Sequence, residues 1–404
     1  MSRTERLYYK DSHLLEFEAR VVDVTERVSG WTGVTLDRTA FYPTGGGQPS
    51  DTGMLAGARV VECIDREDEG VLHVIQGRTP RVGEAVRGYV DWPRRLDHIQ
   101  QHTGQHILSQ AFARIFRAET RSFRMMAEVS EVDVALDDPT DERIQKAVEL
   151  ANRIIWEDRP VFIREVTKEE AAELHLRKDS AREGELRLIE IKDYDLSPCG
   201  GTHAARTGEV GIICTRSWER AKGLIRIEFL AGGRVLQDYN RANQTARQTA
   251  SLFSVGRDET ADAAARLMEE NKSLQRRLRS LEEIASRVAA DELLEHAEAG
   301  ANGTRIVKQI LEGRSADELR QIALAATRHT NVVALLASTD KDDARMVFAR
   351  SQDAPGNMNN LMREACTMLD GRGGGRPDIA QGGGRNLEKL AEALELAARK
   401  LLDS

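Results

Sequence analysis

Cysteine is scarce in this chain. Cys63, Cys199, Cys214 and Cys366 are the four in 404 residues, too few and too scattered for a disulfide scaffold. That usage fits a reducing cytoplasm, where a cysteine near histidines more often signals metal binding or catalysis. Long apolar runs are missing too. No stretch of about 18 apolar residues occurs, so the sequence predicts no membrane span and no membrane partner. The opening Met1-Ser-Arg-Thr-Glu-Arg6 lacks the apolar core of a signal peptide. Positive charge is not in excess either. A net charge of −8 does not announce a nucleic-acid binder, so any RNA contact must come from local patches. What is present is 40% apolar residues over 404 positions, enough for two or three domains with real cores.

Two short motifs carry the chemistry. His102-Thr-Gly-Gln-His106 sets two imidazoles at i and i+4, one turn apart on one helix face. Cys199-Gly-Gly-Thr-His203 repeats the spacing, but Gly200 and Gly201 argue for a tight loop. Three imidazoles and a thiolate form a ligand set suited to tetrahedral zinc, one ion per chain. A solvated helix face is the plain alternative for the His pair taken alone. His98 continues the same face, but positions eight apart lie about 12 Å apart along a helix. All three cannot share one ion, and the 102/106 pair faces the helix centre. His98 is then expected at the surface or behind the ligands. His73 and His175 are isolated and read as structural or exposed. Cys63, Cys214 and Cys366 sit in apolar runs and read as buried small side chains.

Residues 1–92 read as a β-rich module. Leu15, Phe17, Ala19 and Val21 alternate with Glu16, Glu18 and Arg20, the period of a half-buried strand. Further runs at Val34–Leu36, Val60–Ile64, Val71–Ile75 and Val86–Trp92 are punctuated by glycines, Gly30 among them, which predicts a small antiparallel barrel or sandwich. Phe41-Tyr-Pro-Thr-Gly-Gly-Gly-Gln-Pro49 stands out. Its three glycines let the backbone approach something closely, and Thr44 and Gln48 flank them with a hydroxyl and an amide. A plain β-turn is the simpler reading.

Residues 93–231 mix helices and strands. Pro93 suits a helix start, and Ile99, Ile107, Leu108, Ala111, Phe112 and Ile115 supply an apolar stripe through both histidines. A second helix runs through Ile144–Ile155, and Thr167-x-x-Glu170 is a capping box before a short one. Strands are expected at Arg187–Ile191, Val210–Cys214 and Leu224–Phe229. Arg114, Arg117, Arg121 and Arg124 follow the histidine pair, either as a solvated face or as contacts for a phosphate backbone.

Residues 232–302 read as helical. Leu267, Leu274, Leu281 and Val288 recur every seven residues, with Asn271, Leu278 and Ala285 in the alternate seam. A dimeric coiled coil and an intramolecular hairpin both fit. Asn302 and its neighbouring glycines end the region. Residues 303–404 alternate strand and helix, an α/β pattern with a capped helix at Ser315-x-x-Glu318. The stretch Gly373-Gly-Gly-Arg-Pro-Asp-Ile-Ala-Gln-Gly-Gly-Gly384 reads as a glycine-rich loop. Arg372, Arg376 and Arg385 around it make a nucleic-acid contact plausible.

In this order, the Phe41–Pro49, His102–His106 and Pro198–His203 motifs resemble the editing domain of alanyl-tRNA synthetase. They resemble still more its free-standing relatives, the AlaX trans-editing proteins. Arg226-Ile-Glu228 matches a strand after the cysteine motif, and the Gly373–Gly384 stretch is similar to a motif of the synthetase's C-terminal domain. The likeness covers nearly the whole chain and suggests the long form of AlaX. Only about forty residues precede the Phe41 motif, so no aminoacylation core is expected. Gly104, where many relatives carry Ala, is a departure that costs the helix roughly 1 kcal/mol.

The resemblance implies a multidomain α+β fold. A small β-barrel (1–92) would precede an α/β zinc-containing editing domain (93–231), a helical or coiled-coil linker (232–302) and a C-terminal α/β domain (303–404). It implies zinc on His102, His106, Cys199 and His203. It also implies hydrolysis of the ester joining a wrong amino acid, mainly serine or else glycine, to the 3′ end of alanine tRNA. Thr44 matches the position that contacts the serine hydroxyl, and Gln48 matches a glutamine of the editing pocket. With Cys199 these form the candidate catalytic set. Mischarged alanine tRNA is the expected partner, with a homodimer possible through the helical linker or the C-terminal domain. The alternatives are an idle, zinc-stapled tRNA-binding adaptor and an editor of another mischarged tRNA.

Overall fold

The alternation around Leu15–Val21 forms a strand that opens a closed barrel. The structure, a computed structural model, describes residues 4–26, 31–178, 185–300, 303–340 and 343–402. Gly30 and Asn302 lie outside these. The chain divides into two compact units, Met1–Gln248 and Thr249–Ser404.

In the first unit β1 (Glu5–Arg6) pairs with β4 (Arg38–Thr39) beside the barrel. The barrel itself is built from β2 (Glu16–Glu26), β3 (Thr32–Leu36), β5 (Gly53–Leu55), β6 (Ala58–Asp65), β7 (Val71–Gln76) and β8 (Ala85–Val90). Strand order is β2-β3-β7-β6-β5-β8, every pair antiparallel. Period-two side chains such as Val86 and Val90 of β8 meet Phe17, Leu36, Phe41 and Leu55 inside. The expected strand through Trp92 stops at Val90. Trp92 instead opens α1 (Trp92–Phe116), with Pro93 in its first turn.

Helix α1 packs with α2 (Asp141–Trp156) on a four-stranded sheet of β9 (Thr120–Met125), β10 (Ser130–Val134), β14 (Ile213–Ala221) and β15 (Leu224–Ala231), order β14-β15-β10-β9. Gly104 permits this: a Cβ there would lie 3.0 Å from the Ala231 Cβ. Its poor helix propensity is the cost of close helix–strand packing. A second sheet holds β11 (Val161–Val166), β12 (Leu186–Ile191) and β13 (Asp195–Pro198), and α3 (Lys168–Ala172) carries the Thr167/Glu170 capping box.

Several expectations are corrected. Val210 closes a short 3-10 turn, and the strand begins at Ile213, because Gly211 turns the chain at φ +78. Ile115 is 40% exposed, outside the buried stripe. Cys214 is only half-buried. His98 is buried at 3% exposure, and no surface residue: it packs 4.0 Å from Asp51, which the buried Arg95 also grips. Helix α4 spans Gly233–Phe253.

The second unit contains α5 (Thr260–Glu295), 36 residues long. A six-stranded sheet follows, from β16 (Glu298–Ala299), β17 (Arg305–Ile310), β18 (Val332–Thr339), β19 (Ala344–Arg350), β20 (Arg372–Gly375) and β21 (Ile379–Gly384), with α6 (Ala316–Ala326), α7 (Met358–Met368) and α8 (Leu390–Leu402). The order is β16-β17-β18-β19-β21-β20, and only β17–β18 is parallel. Central β18 is apolar on both faces. Val333, Leu335 and Ala337 meet α7 and α8, while Val332, Ala334 and Leu336 meet α6 and the end of α5. The expected glycine-rich loop is a hairpin instead. Its glycines let β20 and β21 press against α7, where a Cβ on Gly373 would sit 2.6 Å from Cys366 Sγ. The α5 seam stays exposed within the chain: Leu267, Leu274, Leu278, Leu281 and Val288 are all more than half exposed.

Candidate metal centre

Helix α1 presents His102 and His106 on one face, and the loop leaving β13 brings Cys199 and His203 to meet them. The four ligand atoms lie within 4.8 Å of one another. Cys199 Sγ is 3.3 Å from His102 Nε2 and 3.2 Å from His203 Nε2. A tetrahedral site of three nitrogens and one sulfur has edges of roughly 3.3–3.7 Å, so the cluster fits such an ion with little movement.

Each imidazole is held from behind. His102 Nδ1 lies 2.7 Å from Gln48 Oε1, His106 Nδ1 lies 3.2 Å from Asp195 Oδ2, and His203 Nδ1 lies 3.3 Å from Thr103 Oγ1. The acceptors at His102 and His106 Nδ1 fix the tautomer that leaves Nε2 free for a metal. The supports are themselves supported. Thr202 N–H donates to Gln48 Oε1 at 3.3 Å, and Gln48 Nε2 donates to Thr202 Oγ1 at 2.9 Å. Arg177 Nε and the Ser197 hydroxyl donate to Asp195 at 2.7 and 2.9 Å.

Two glycines make the closeness possible. Gly47 has φ +81 and a Cβ there would strike the Phe123 carbonyl, so the triple-glycine loop can dock on β9, where Met125 N–H donates to Gly47 O at 2.8 Å. A Cβ on Gly201 would overlap the His102 ring.

The electrostatics suit a bound cation. Burial opposes ionisation of the Cys199 thiol, but His102 and His203 outweigh it and hold its pKa well below the ordinary value. Burial also favours neutral His203, pushing its pKa to about 3. On His106 burial is overcome by the Asp195 and Cys199 hydrogen bonds, which raise its pKa. Asp195 resists burial through the Arg177 charge and His106, and its pKa stays low.

The centre opens on a cavity of about 640 Å³ whose wall includes Gly46, Phe123, Arg121, Arg177, Lys178 and Arg187. Of the expected arginines, Arg121 reaches this cavity, paired with Glu119 at 3.0 Å. Arg114 is occupied elsewhere, stacked 4.5 Å from the Tyr194 ring and donating to the Asp193 and Tyr194 carbonyls. Arg124 pairs with Glu131, and Arg117 is an exposed left-handed helix cap. In the second unit Arg372, Arg376 and Arg385 are exposed on and beside the β20/β21 hairpin. Gln48 is buried at 1% exposure with its amide committed to His102 and Thr202. Thr44 is exposed on the loop, its oxygen accepting from Ser50 N–H at 3.1 Å. Sequence reasoning missed Thr103, Asp195, Arg177 and Arg187. The one signal available was Asp195 four positions before Cys199.

Comparison with known proteins agrees with this architecture. Residues 302–403 match the DHHA1 domain. Residues 186–228 match the threonyl and alanyl tRNA synthetase second additional domain, and residues 2–94 match the class II (A) tRNA synthetases. The alanyl-tRNA editing protein AlaX-L of Pyrococcus horikoshii is 32% identical over 407 residues, covering 98% of each chain. The chain belongs to the AlaX-L family of alanyl-tRNA editing proteins. Alanine–tRNA ligases are also similar: that of Pyrobaculum neutrophilum at 34% identity over 72% of this chain and 34% of its own, and that of Pyrobaculum calidifontis at 30% over 98% and 44%. This AlaX-L relative therefore spans less than half the length of those ligases. The C-Ala domain of Aquifex aeolicus alanyl-tRNA synthetase is 30% identical, covering 26% of this chain and 96% of that one, with a TM-score of 0.25.

Proposed function

We propose that this chain is a zinc-dependent trans-editing hydrolase that removes serine, or else glycine, from mischarged alanine tRNA. Family membership supports alanyl-tRNA editing in general. The observation that carries the finer reading is the three-histidine, one-thiolate cluster with a polar partner behind every imidazole, opening on a cavity lined by Arg121, Arg177, Lys178 and Arg187 along with Glu185. Zinc bound by His102, His106, Cys199 and His203 supplies a Lewis acid. In the reaction, water adds to the ester carbonyl carbon. The carbonyl electron pair moves onto oxygen, then re-forms the double bond as the ribose oxygen leaves and takes a proton. The products are free amino acid and uncharged tRNA.

The chain's own residues bind and orient. Gln48, Asp195 and Thr103 hold the imidazoles, and Arg121, Arg177, Lys178 and Arg187 favour a negatively charged acceptor end. The exposed Arg117 and the hairpin residues Arg372, Arg376 and Arg385 are proposed contacts for the rest of the tRNA. Thr44 is the proposed selector for serine. Its oxygen already accepts from Ser50, and its hydroxyl hydrogen remains to be donated. A site that bonds a hydroxyl rejects the analogue lacking one, because its own polar group is left unpaired. Thr44→Val should cut seryl-tRNA hydrolysis at least roughly tenfold with folding unchanged. Equal hydrolysis removes Thr44 from the mechanism.

The second reading is a tRNA-binding adaptor with a structural zinc. A set of four protein ligands is the pattern of closed, structural sites. Multiple turnovers on seryl-tRNA exclude it. For the assembly, the five half-exposed apolar residues of the α5 seam support a homodimer through that helix.

A further inference from the structure

The first unit contains two arginines that are contrasted by their surroundings. Arg95 is fully buried and every nitrogen is engaged: Nε and Nη2 with Asp51, Nη1 with Ser12 O at 2.6 Å, and Nη2 also with Ala40 O at 2.6 Å. Arg187 is different. Its Nε donates to Tyr9 O at 3.0 Å, and its Nη1 donates to Cys199 O at 2.7 Å and Gly201 O at 3.0 Å. Its Nη2 is enclosed and has no acceptor among the described residues. No carboxylate pairs with this guanidinium among them either.

A largely desolvated cation with an idle N–H edge is a costly arrangement to keep. Burial indeed pulls the Arg187 pKa down, partly offset by the Cys199 thiolate and nearby tyrosines. The three anchored hydrogen bonds fix the plane of the guanidinium. Arg187 lines the cavity that also holds His102 and Cys199. Among the described residues, Nε and Nη1 have acceptors and Nη2 has none.

We infer that Arg187 is a substrate-contacting residue whose Nη2 edge receives an anionic oxygen of the aminoacyl ester substrate beside the metal centre. This rests on the hydrolase reading above. Two oxygens of the substrate have the required chemistry: the carbonyl oxygen as it gains charge during attack by water, and the phosphate of the terminal nucleotide. An oxyanion contact acts only as charge develops and therefore appears in kcat. A phosphate contact appears in KM.

The test uses the full-length zinc-loaded protein, Arg187→Gln and Arg187→Lys, with two substrates: seryl-tRNA(Ala), and seryl-adenosine, an ester without a phosphate. Zinc content and thermal midpoint are measured on every sample. With zinc content retained, Arg187→Gln should lose roughly 10²- to 10³-fold in kcat on both substrates if the partner is the oxyanion. It should raise KM at least roughly tenfold on the tRNA alone if the partner is the phosphate. Either result supports the inference, and Arg187→Lys should recover part of the loss. Unchanged kcat and KM on both substrates would overturn it. So would a loss proportional to lost zinc, since Arg187 would then only clamp the Cys199–Gly201 loop. An inactive wild-type protein would instead sink the hydrolase reading, and this inference with it.

Discussion

Gln48→Leu should weaken zinc binding roughly 10- to 100-fold without abolishing the site. Leucine nearly fills the glutamine's volume, so the cavity contribution is small. What is lost is the acceptor for His102 Nδ1 at 2.7 Å and for Thr202 N–H at 3.3 Å, together with the donor to Thr202 Oγ1 at 2.9 Å. Gln48 is 1% exposed, so water does not readily replace it. Losing such an outer partner of a metal ligand costs 10- to 100-fold in affinity, about 1.4–2.7 kcal/mol. The orphaned Thr202 N–H adds about 1–3 kcal/mol of instability to the metal-free protein as well. Competition between the apoprotein and a chromophoric chelator near neutral pH measures the zinc Kd, and denaturant melts measure the rest. One zinc per chain at wild-type affinity would refute the claim that Gln48 orients His102.

Other outcomes follow from the same structure. His73 and His98 are both buried and their pKa values are pushed from 6.5 to about 4, chiefly by burial. A depressed histidine contributes stability that is fully present above about pH 6.5 and is lost as pH falls toward 4. Near pH 5 that loss is about 2 kcal/mol per group, and a denaturant midpoint that stays flat between pH 6.5 and 5 would contradict it. Gly382→Ala would force a methyl group against Cys366 Sγ, Gly373 and Met362. The second unit should lose about 1–3 kcal/mol, and an unchanged thermal midpoint for that unit argues against the packing described. Leu274→Glu with Leu281→Glu should convert a dimer to a monomer in sedimentation velocity, whereas a wild-type chain that is monomeric at all concentrations rules out pairing through α5.

Much of the centre was legible because ligand chemistry constrains residue type and spacing. Two motifs of His and Cys at i, i+4 could be read without any fold, and the structure brings all four residues together. The contacts that support them were not legible. Asp195 and Thr103 are common residue types, and Gln48, though marked as a pocket residue, could not be tied to His102, because contacts such as Gln48–His102 and Thr103–His203 span 54 and 100 positions. Arg187 is likewise special only because of what surrounds it. The barrel strands were visible as β-branched runs between glycines, while three-residue β5 and the proline-ended β13 were too short to register. The glycine-rich stretch misled for a physical reason. Glycine is depleted in strands, yet here its missing side chain is what lets the hairpin pack on Cys366 and Met362. His98 was left between the surface and a place behind the ligands, because helix periodicity alone cannot reveal Asp51, which lies 4.0 Å from its ring.

The most direct test of the central claim is deacylation of seryl-tRNA(Ala) by three samples of the purified protein: zinc-loaded, chelator-stripped with zinc restored, and Cys199→Ala. Loaded protein should turn over many times and spare alanyl-tRNA(Ala), the rate should recover when zinc is returned, and Cys199→Ala should not turn over. Turnover that is indifferent to zinc and to Cys199 would contradict the metal-centred mechanism. No turnover by zinc-loaded protein that still binds the tRNA would replace the hydrolase with the adaptor.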